Sequence, residues 1–225
     1  MKLILSCEHG GNDIPKKYSG IFKNHEAVLE THRGFDLGAL DVFNHLKSLS
    51  YASFYCTRSR LLIELNRSLH HKNLFSEFSK QLSKPDQDAL ISEYLEYRNS
   101  VEQAIQKLIK NQQKVLHISV HSFTPIFNSE ERHGDIGLLF DSRKTKEKDF
   151  CKALKHDILK QDSDLNVRYN YPYLGKSDGF TSYLRKQFPE YYLGIEIEIN
   201  QKFSENNFMK TAVKTAIYNA ISGNI

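Results

Sequence analysis

The stretch "KLILSCEHGGNDIP", residues 2–15, sets the terms for the whole chain. "KLILS" is an apolar run of strand character. A carboxylate, Glu8, and an imidazole, His9, follow it and stand directly before Gly10 and Gly11. Glycines let a backbone turn sharply and come close to a ligand. An ordinary strand-to-helix turn needs neither charge, whereas a turn that holds a metal or a reacting carbonyl uses both. The nine residues after the strand fit either reading.

Working outward, apolar runs with β-branched or aromatic residues recur at 51–57 (YASFYCT), 61–66 (LLIELN), 114–123 (KVLHISVHSF), 134–141 (GDIGLLFD), 166–171 (NVRYNY) and 193–200 (LGIEIEIN). Helical patterns lie between them at 35–49, 85–111, 146–161 and 204–223. The second opens on Pro85 with acids after it, as helix starts prefer. Ser204 and the asparagines after it resemble an N-terminal cap, and Gly223 a stop. Strands alternating with helices predict an α/β architecture, with a mixed, mostly parallel sheet covered on both faces. The segments 51–57 and 61–66, separated by three residues, predict either a hairpin or one kinked strand. No repeat or linker divides the chain, so a single domain over 1–225 is expected.

Composition narrows the function. The chain of 225 residues is 40% hydrophobic and 26% charged, with a net charge of +4 and scattered lysines. That gives little reason to expect nucleic-acid binding. No apolar run approaches the roughly 18–20 residues of a membrane span. Cys7, Cys56 and Cys151 are odd in number, widely spaced and without a CxxC pair. Together with a strand-like start in place of a signal peptide, they predict a reducing, cytoplasmic setting.

Chemistry in α/β sheets gathers beyond the carboxyl ends of strands. Four such ends carry polar groups. Glu8, His9, Asn12 and Asp13 follow the first strand, and Asn66 and Arg67 follow "LLIEL". Arg offers a planar fork for a carboxylate. In "KVLHISVHSF", alternation places His117, Ser119 and His121 on one face, opposite Leu116, Ile118 and Val120. The two histidines are about 13 Å apart at ~3.3 Å per residue, too far for one metal. His121, at the strand end, is the better ligand candidate, and His117 suits a hydrogen-bonded interior. In "LGIEIEIN", Glu196, Glu198 and Asn200 share a face. Buried glutamates are costly without partners, a cost that a metal or Arg removes; desolvation lifts a carboxyl toward general-base range. An exposed edge strand would tolerate them too.

At this point "SCEHGGNDIP", "HRGFDLGA", "SRLLIELNRS", "HSFTP", "DIGLLFD" and "LGIEIEINQ" resemble, in order, N-formylglutamate amidohydrolase-like proteins over nearly the whole chain. The resemblance implies a three-layer α/β/α hydrolase with one zinc ion, of the zinc exopeptidase type, akin to metallocarboxypeptidases and aspartoacylase-type deacylases. Such relatives carry a His-x-x-Glu pair, an Asn-Arg pair, a second His and a late Glu. Carried over, His9 and His121 become zinc ligands, Asn66 and Arg67 hold the substrate α-carboxylate, and Glu198 is the general base. The chain departs from the pattern at Asn12, where a carboxylate ligand would stand. An amide oxygen is a poor zinc ligand, so the third ligand must come from elsewhere; the resemblance matches Asp36, in "HRGFDLGA", to an acid of that family and makes it the first choice, with Glu8 the second and helix capping the other role for Asp36. Arg132 is expected either to hold a second substrate carboxylate or to lie on the surface. Segment 171–184, with Tyr173, Gly175 and Asp178, reads as a substrate-covering loop or a solvent-facing turn. The implied reaction is hydrolysis of an N-acyl bond, N-formyl first, on an amino acid such as N-formylglutamate. A zinc carboxypeptidase-like peptidase and a non-catalytic ligand-binding relative are the alternatives.

Overall fold

Three segments, 2–7, 115–123 and 192–200, lie side by side at the centre of the sheet, and the period-2 geometry of their strands decides what each face carries. The computed structural model describes residues 1–225. In chain order the elements are β1 (Lys2–Cys7), α1 (Ala39–Leu46), β2 (Ala52–Tyr55), α2 (Lys84–Lys110), β3 (Val115–Phe123), β4 (Ile126–Phe127), β5 (Glu130–Glu131), β6 (Ile136–Leu139), α3 (Thr145–Gln161), β7 (Val167–Tyr169), α4 (Phe180–Gln187), β8 (Tyr192–Asn200), β9 (Ser204–Glu205), β10 (Phe208–Met209) and α5 (Thr211–Ser222). The six-stranded sheet runs β2-β1-β3-β8-β6-β7. All neighbours in it are parallel except β6 with β8. From β1 the chain moves out to β2 and returns to β3 on the other side. That reversal makes the ends of β1 and β3 a topological switch point, where such sheets bind ligands.

One face of the sheet is predominantly apolar. Leu3, Leu5, Leu116, Ile118, Val120, Ile195, Ile197 and Ile199 pack there against α1, α3 and α5. The other face is apolar only near the strand starts, where Ile4, Val115 and Tyr192 meet α2 and α4. Toward the carboxyl ends it becomes a buried polar column that includes Ser6, Glu8, Ser119, His121, Glu196 and Glu198. Helices on both faces give the expected three layers. No helix is long and apolar enough to cross a membrane.

Four local expectations need correction. Residues 61–66 form turns, not a strand. Leu61, Leu62, Ile63 and Leu65 are all buried, in a separate cluster with Tyr18, Phe22, Leu74, Leu90 and Tyr94. Consecutive burial of this kind leaves no solvent face for an alternating strand. Helix α5 begins at Thr211, because Asn206 and Asn207 take positive φ (50° and 65°) and turn β9 into β10 as a hairpin. Asn tolerates that left-handed backbone. Helix α1 begins at Ala39, after Gly38 at φ +77°. Within 171–184 the chain enters α4 at Phe180, a helix absent from the sequence reading.

Candidate active site

His9 lies just beyond β1 and His121 within the last three residues of β3, so adjacent parallel strands deliver the two imidazoles to one place. Their ring centroids are 5.0 Å apart. Asp36 comes from the loop before α1; its backbone N–H donates to the His9 carbonyl, which ties that loop to the end of β1. Its side chain does not cap α1: Oδ2 lies 3.3 Å from His9 Nδ1 and 2.9 Å from His121 Nδ1. One donor atom from each of His9, Asp36 and His121 falls within 4.8 Å of the other two, and all three residues are buried.

The outward nitrogens of both rings are also held by carboxylates. His9 Nε2 bonds Glu64 Oε1, and His121 Nε2 lies 2.8 Å from Ser119 Oγ and 3.3 Å from Glu8 Oε2. Glu8 thus stands behind His121, braced by Tyr97 and Ser119, and is not part of the three-residue cluster. Arg60 locks both acids on the other side, donating to Asp36 Oδ1 at 3.0 Å and to Glu64 Oε2 at 2.8 Å. Imidazoles whose far N–H is fixed by a carboxylate, leaving the near nitrogens turned toward a shared carboxylate oxygen, form a donor set suited to a divalent metal. His117 takes the interior role, bonded to Ser6 and Tyr192 at 2.8 Å each.

His9, Asp36, Arg60 and His121 line a cleft of about 560 Å³, with Arg67, Phe127, Tyr173, Asp178 and Glu196 among its walls. Glu198 lines it as well, and its buried Oε2 has no hydrogen-bond partner. Burial, assisted by Asp36 and Glu196 against the pull of His121, pushes its carboxyl up to about 7. A carboxyl raised in this way, with a free oxygen in a cleft, can exchange a proton with whatever sits there. Asn66 and Arg67 reach the same cleft. Asn66 Oδ1 accepts the Phe180 N–H at 2.7 Å, and its amide N–H₂, 3.4 Å from His121 Nε2, is the end turned toward the cleft. Arg67 donates one N–H to the Asp178 carbonyl, 2.9 Å away. Tyr173 and Asp178 line the cleft at its rim and remain exposed to solvent, so the turn is both wall and surface. Asn12 turns away, donating to Leu29 and Glu30. Arg132 stands outside the lining, its guanidinium over the rings of Phe127 (4.5 Å) and Tyr173 (5.3 Å).

The sequence reading missed Arg60 and Glu64. Both sat inside or beside a segment read as a strand. Opposite charges four residues apart across three consecutive apolar residues were the available sign of a buried pair.

The charges in the metal-free protein make opposing demands on pH. Against the cost of burial, imidazole and guanidinium neighbours hold Glu8, Asp36 and Glu64 below the usual carboxylate range. Their contribution is present above about pH 4–4.5 and lost in acid. Against burial, Glu64 and Asp36 raise His9, and bonds to Asp36 and Glu8 raise His121 well above 6.5. Their contribution is full below about 6.5 and lost as pH rises through the folded values. Glu198, raised to about 7, works in the same direction. Metal-free protein is therefore expected to unfold at the highest temperature between about pH 5 and 6.5. Thermal unfolding from pH 4 to 9 checks this, and a midpoint that keeps rising above pH 7 would contradict it.

The sequence model of N-formylglutamate amidohydrolase matches residues 1–204. The chain belongs to the N-formylglutamate amidohydrolase family. This amidohydrolase-family chain is also similar to the solved structure of gene product Atu2144 from Agrobacterium tumefaciens, at 27% identity and a TM-score of 0.80, over 99% of this chain and 88% of that one. N-formylglutamate amidohydrolase from Ralstonia eutropha JMP134 shares the fold, with 15% identity and a TM-score of 0.65 over 97% of this chain and 89% of that one. No curated protein matches the sequence.

Proposed function

We propose that the protein is a zinc-dependent hydrolase of N-acyl amino acids with a small acyl group, N-formyl in the first instance. The observation that carries this reading is the pairing of the three-donor cluster, both imidazoles braced by outer carboxylates, with the partnerless oxygen of Glu198 in the same cleft. Family membership supports amide hydrolysis.

His9 Nδ1, Asp36 Oδ2 and His121 Nδ1 would hold the ion, and Arg60 keeps Asp36 turned toward them. Zinc bound there supplies Lewis acidity, polarising a carbonyl and acidifying water. Glu198 takes the proton of the attacking water on its free oxygen and passes it to the departing amine. The Asn66 amide and the Arg67 fork hold the substrate α-carboxylate, which sets the scissile carbon beside Glu198.

Release of formate or acetate from N-acyl amino acids by zinc-loaded protein tests the reading, with C-terminal peptide cleavage measured alongside. Peptide cleavage without deacylation would replace this reading with a carboxypeptidase. Arg67→Ala is expected to raise KM roughly 10–100-fold, the worth of a charge-assisted hydrogen bond, with little change in kcat; an unchanged KM removes Arg67 from the substrate. Glu8→Gln and Glu64→Gln are each expected to weaken zinc binding about 10–100-fold, measured by chelator competition. Unaltered affinity in both would deny them the bracing role.

A further inference from the structure

Eight carboxylates are buried in this protein, and six of them face a cation. Glu8 faces His121, Asp36 and Glu64 share Arg60, Asp135 meets Lys202, Asp141 meets Arg143, and Glu147 meets Arg185. The two without a cationic partner are Glu196 and Glu198, and both line the cleft. Glu198 has a chemical use for its freedom. Glu196 is left unexplained.

Thr181, in the first turn of α4, donates to Glu196 Oε1 at 2.5 Å, which fixes the carboxylate's orientation. The other oxygen receives no bond from the protein. Neither cleft arginine neutralises it: Arg60 is committed to Asp36 and Glu64, and Arg67 leans on the Asp178 carbonyl. A buried carboxylate without a counter-charge is costly. Arg185, the nearest charge on α4, is bonded to Glu147, and the free oxygen of Glu196 is not sealed off but opens to the cleft, where a ligand can bring the charge.

We propose that Glu196 receives a cationic group of the substrate, so that the preferred N-acyl amino acid carries an ammonium or guanidinium on its side chain. The inference rests on the hydrolase reading above. Glu196 and Glu198 lie two residues apart on one face of β8, which separates them by roughly 7 Å along the strand. Asn66 Oδ1 and Glu196 Oε1 flank the same point, 3.3 and 3.4 Å from where a Cβ on Gly179 would stand. An amino acid held by its α-carboxylate at Asn66 and Arg67 therefore has Glu196 within reach of a flexible stem such as the roughly four carbons of lysine.

The test compares N-formyl-lysine, N-formyl-arginine, N-formyl-glutamate and N-formyl-leucine on zinc-loaded protein. The basic pair is expected to show kcat/KM at least tenfold above the other two. Glu196→Gln is expected to lower kcat/KM for the basic pair roughly 10–100-fold, through KM, the worth of a charge-assisted bond, while leucine changes less than threefold. Preference for glutamate overturns the inference and leaves the hydrolase reading intact. Equal loss on all four substrates also overturns it, because Glu196 would then act on every substrate alike, through the Glu198 carboxyl or through Thr181 on α4. Should Glu196→Gln fail to fold, Glu196→Asp is expected to lose the same preference, and its retention counts against the proposal. Calorimetry with free lysine, leucine and glutamate on the wild-type protein decides without turnover. Lysine binding at least tenfold tighter supports Glu196 as receptor even if none of the four substrates is hydrolysed, an outcome that would sink the hydrolase reading alone. Equal or tighter binding of glutamate rejects it.

Discussion

Glu198→Gln is expected to cut turnover by about 10²–10⁴-fold while zinc content stays at the wild-type level. The amide keeps the size and burial of the carboxyl but cannot accept and return a proton. Position matters as much as chemistry here. β8 pairs with β3 so that Glu198 stands opposite His121, and the same pairing leaves Glu198 Oε2 without a partner. Nothing in the protein needs that oxygen, so its loss should appear in kcat before KM. The variant has a second signature that a merely disruptive change would not show. Glu198 is pushed from 4.5 to about 7 by burial, which makes its ionised form a cost to the folded state above neutrality. Removing that ionisation is expected to raise the unfolding midpoint of metal-free protein at pH 8 by several degrees, on the order of 3 kcal/mol, and to do little at pH 5. Wild-type turnover in Glu198→Gln would remove the residue from the mechanism; a lowered midpoint at pH 8 would refute the electrostatic account.

His121→Ala carries the second large effect. It removes one of three proposed ligands, so zinc affinity should fall by more than the roughly 10–100-fold expected for an outer brace. It also strips a cation from a crowded set of acids. Asp36 Oδ2 is 2.9 Å from His121 and Glu8 Oε2 3.3 Å, both buried. Breaking a buried charge pair on one side costs about 3–5 kcal/mol, so metal-free His121→Ala is expected to unfold well below wild type at pH 7. In mild acid, where protonation relieves the stranded carboxylates, the gap should narrow. Zinc affinity within threefold of wild type would exclude His121 as a ligand.

The sheet was legible in the sequence because alternation is a two-residue signal that burial on one face enforces. Leu116, Ile118 and Val120 against His117, Ser119 and His121, and Ile195, Ile197 and Ile199 against Glu196 and Glu198, read directly into the two faces observed. What alternation does not encode was misread. The run 61–66 is apolar because it fills a second cluster from turns, so a strand was expected where none exists, and Arg60 just before it and Glu64 within it were passed over. Helix α4 is short, begins after a glycine and has no side-chain cap, which left 171–184 looking like loop. The meeting of His9, Asp36 and His121 was anticipated through resemblance, because residues so far apart in sequence carry no local sign of contact. Glu8, weighed as a ligand, lies behind His121 rather than in the three-residue cluster, and Arg132, weighed as a substrate contact, lies outside the cleft lining; neither placement has a sign in the sequence.

The central claim is that one divalent cation sits among His9, Asp36 and His121, and anomalous diffraction at the zinc edge from crystals of zinc-loaded protein tests it most directly. The account predicts one full-occupancy peak within bonding distance of His9 Nδ1, Asp36 Oδ2 and His121 Nδ1, with His9 Nε2 still on Glu64 and His121 Nε2 still facing Glu8. No peak in the cleft, or a metal held by other residues, would contradict it.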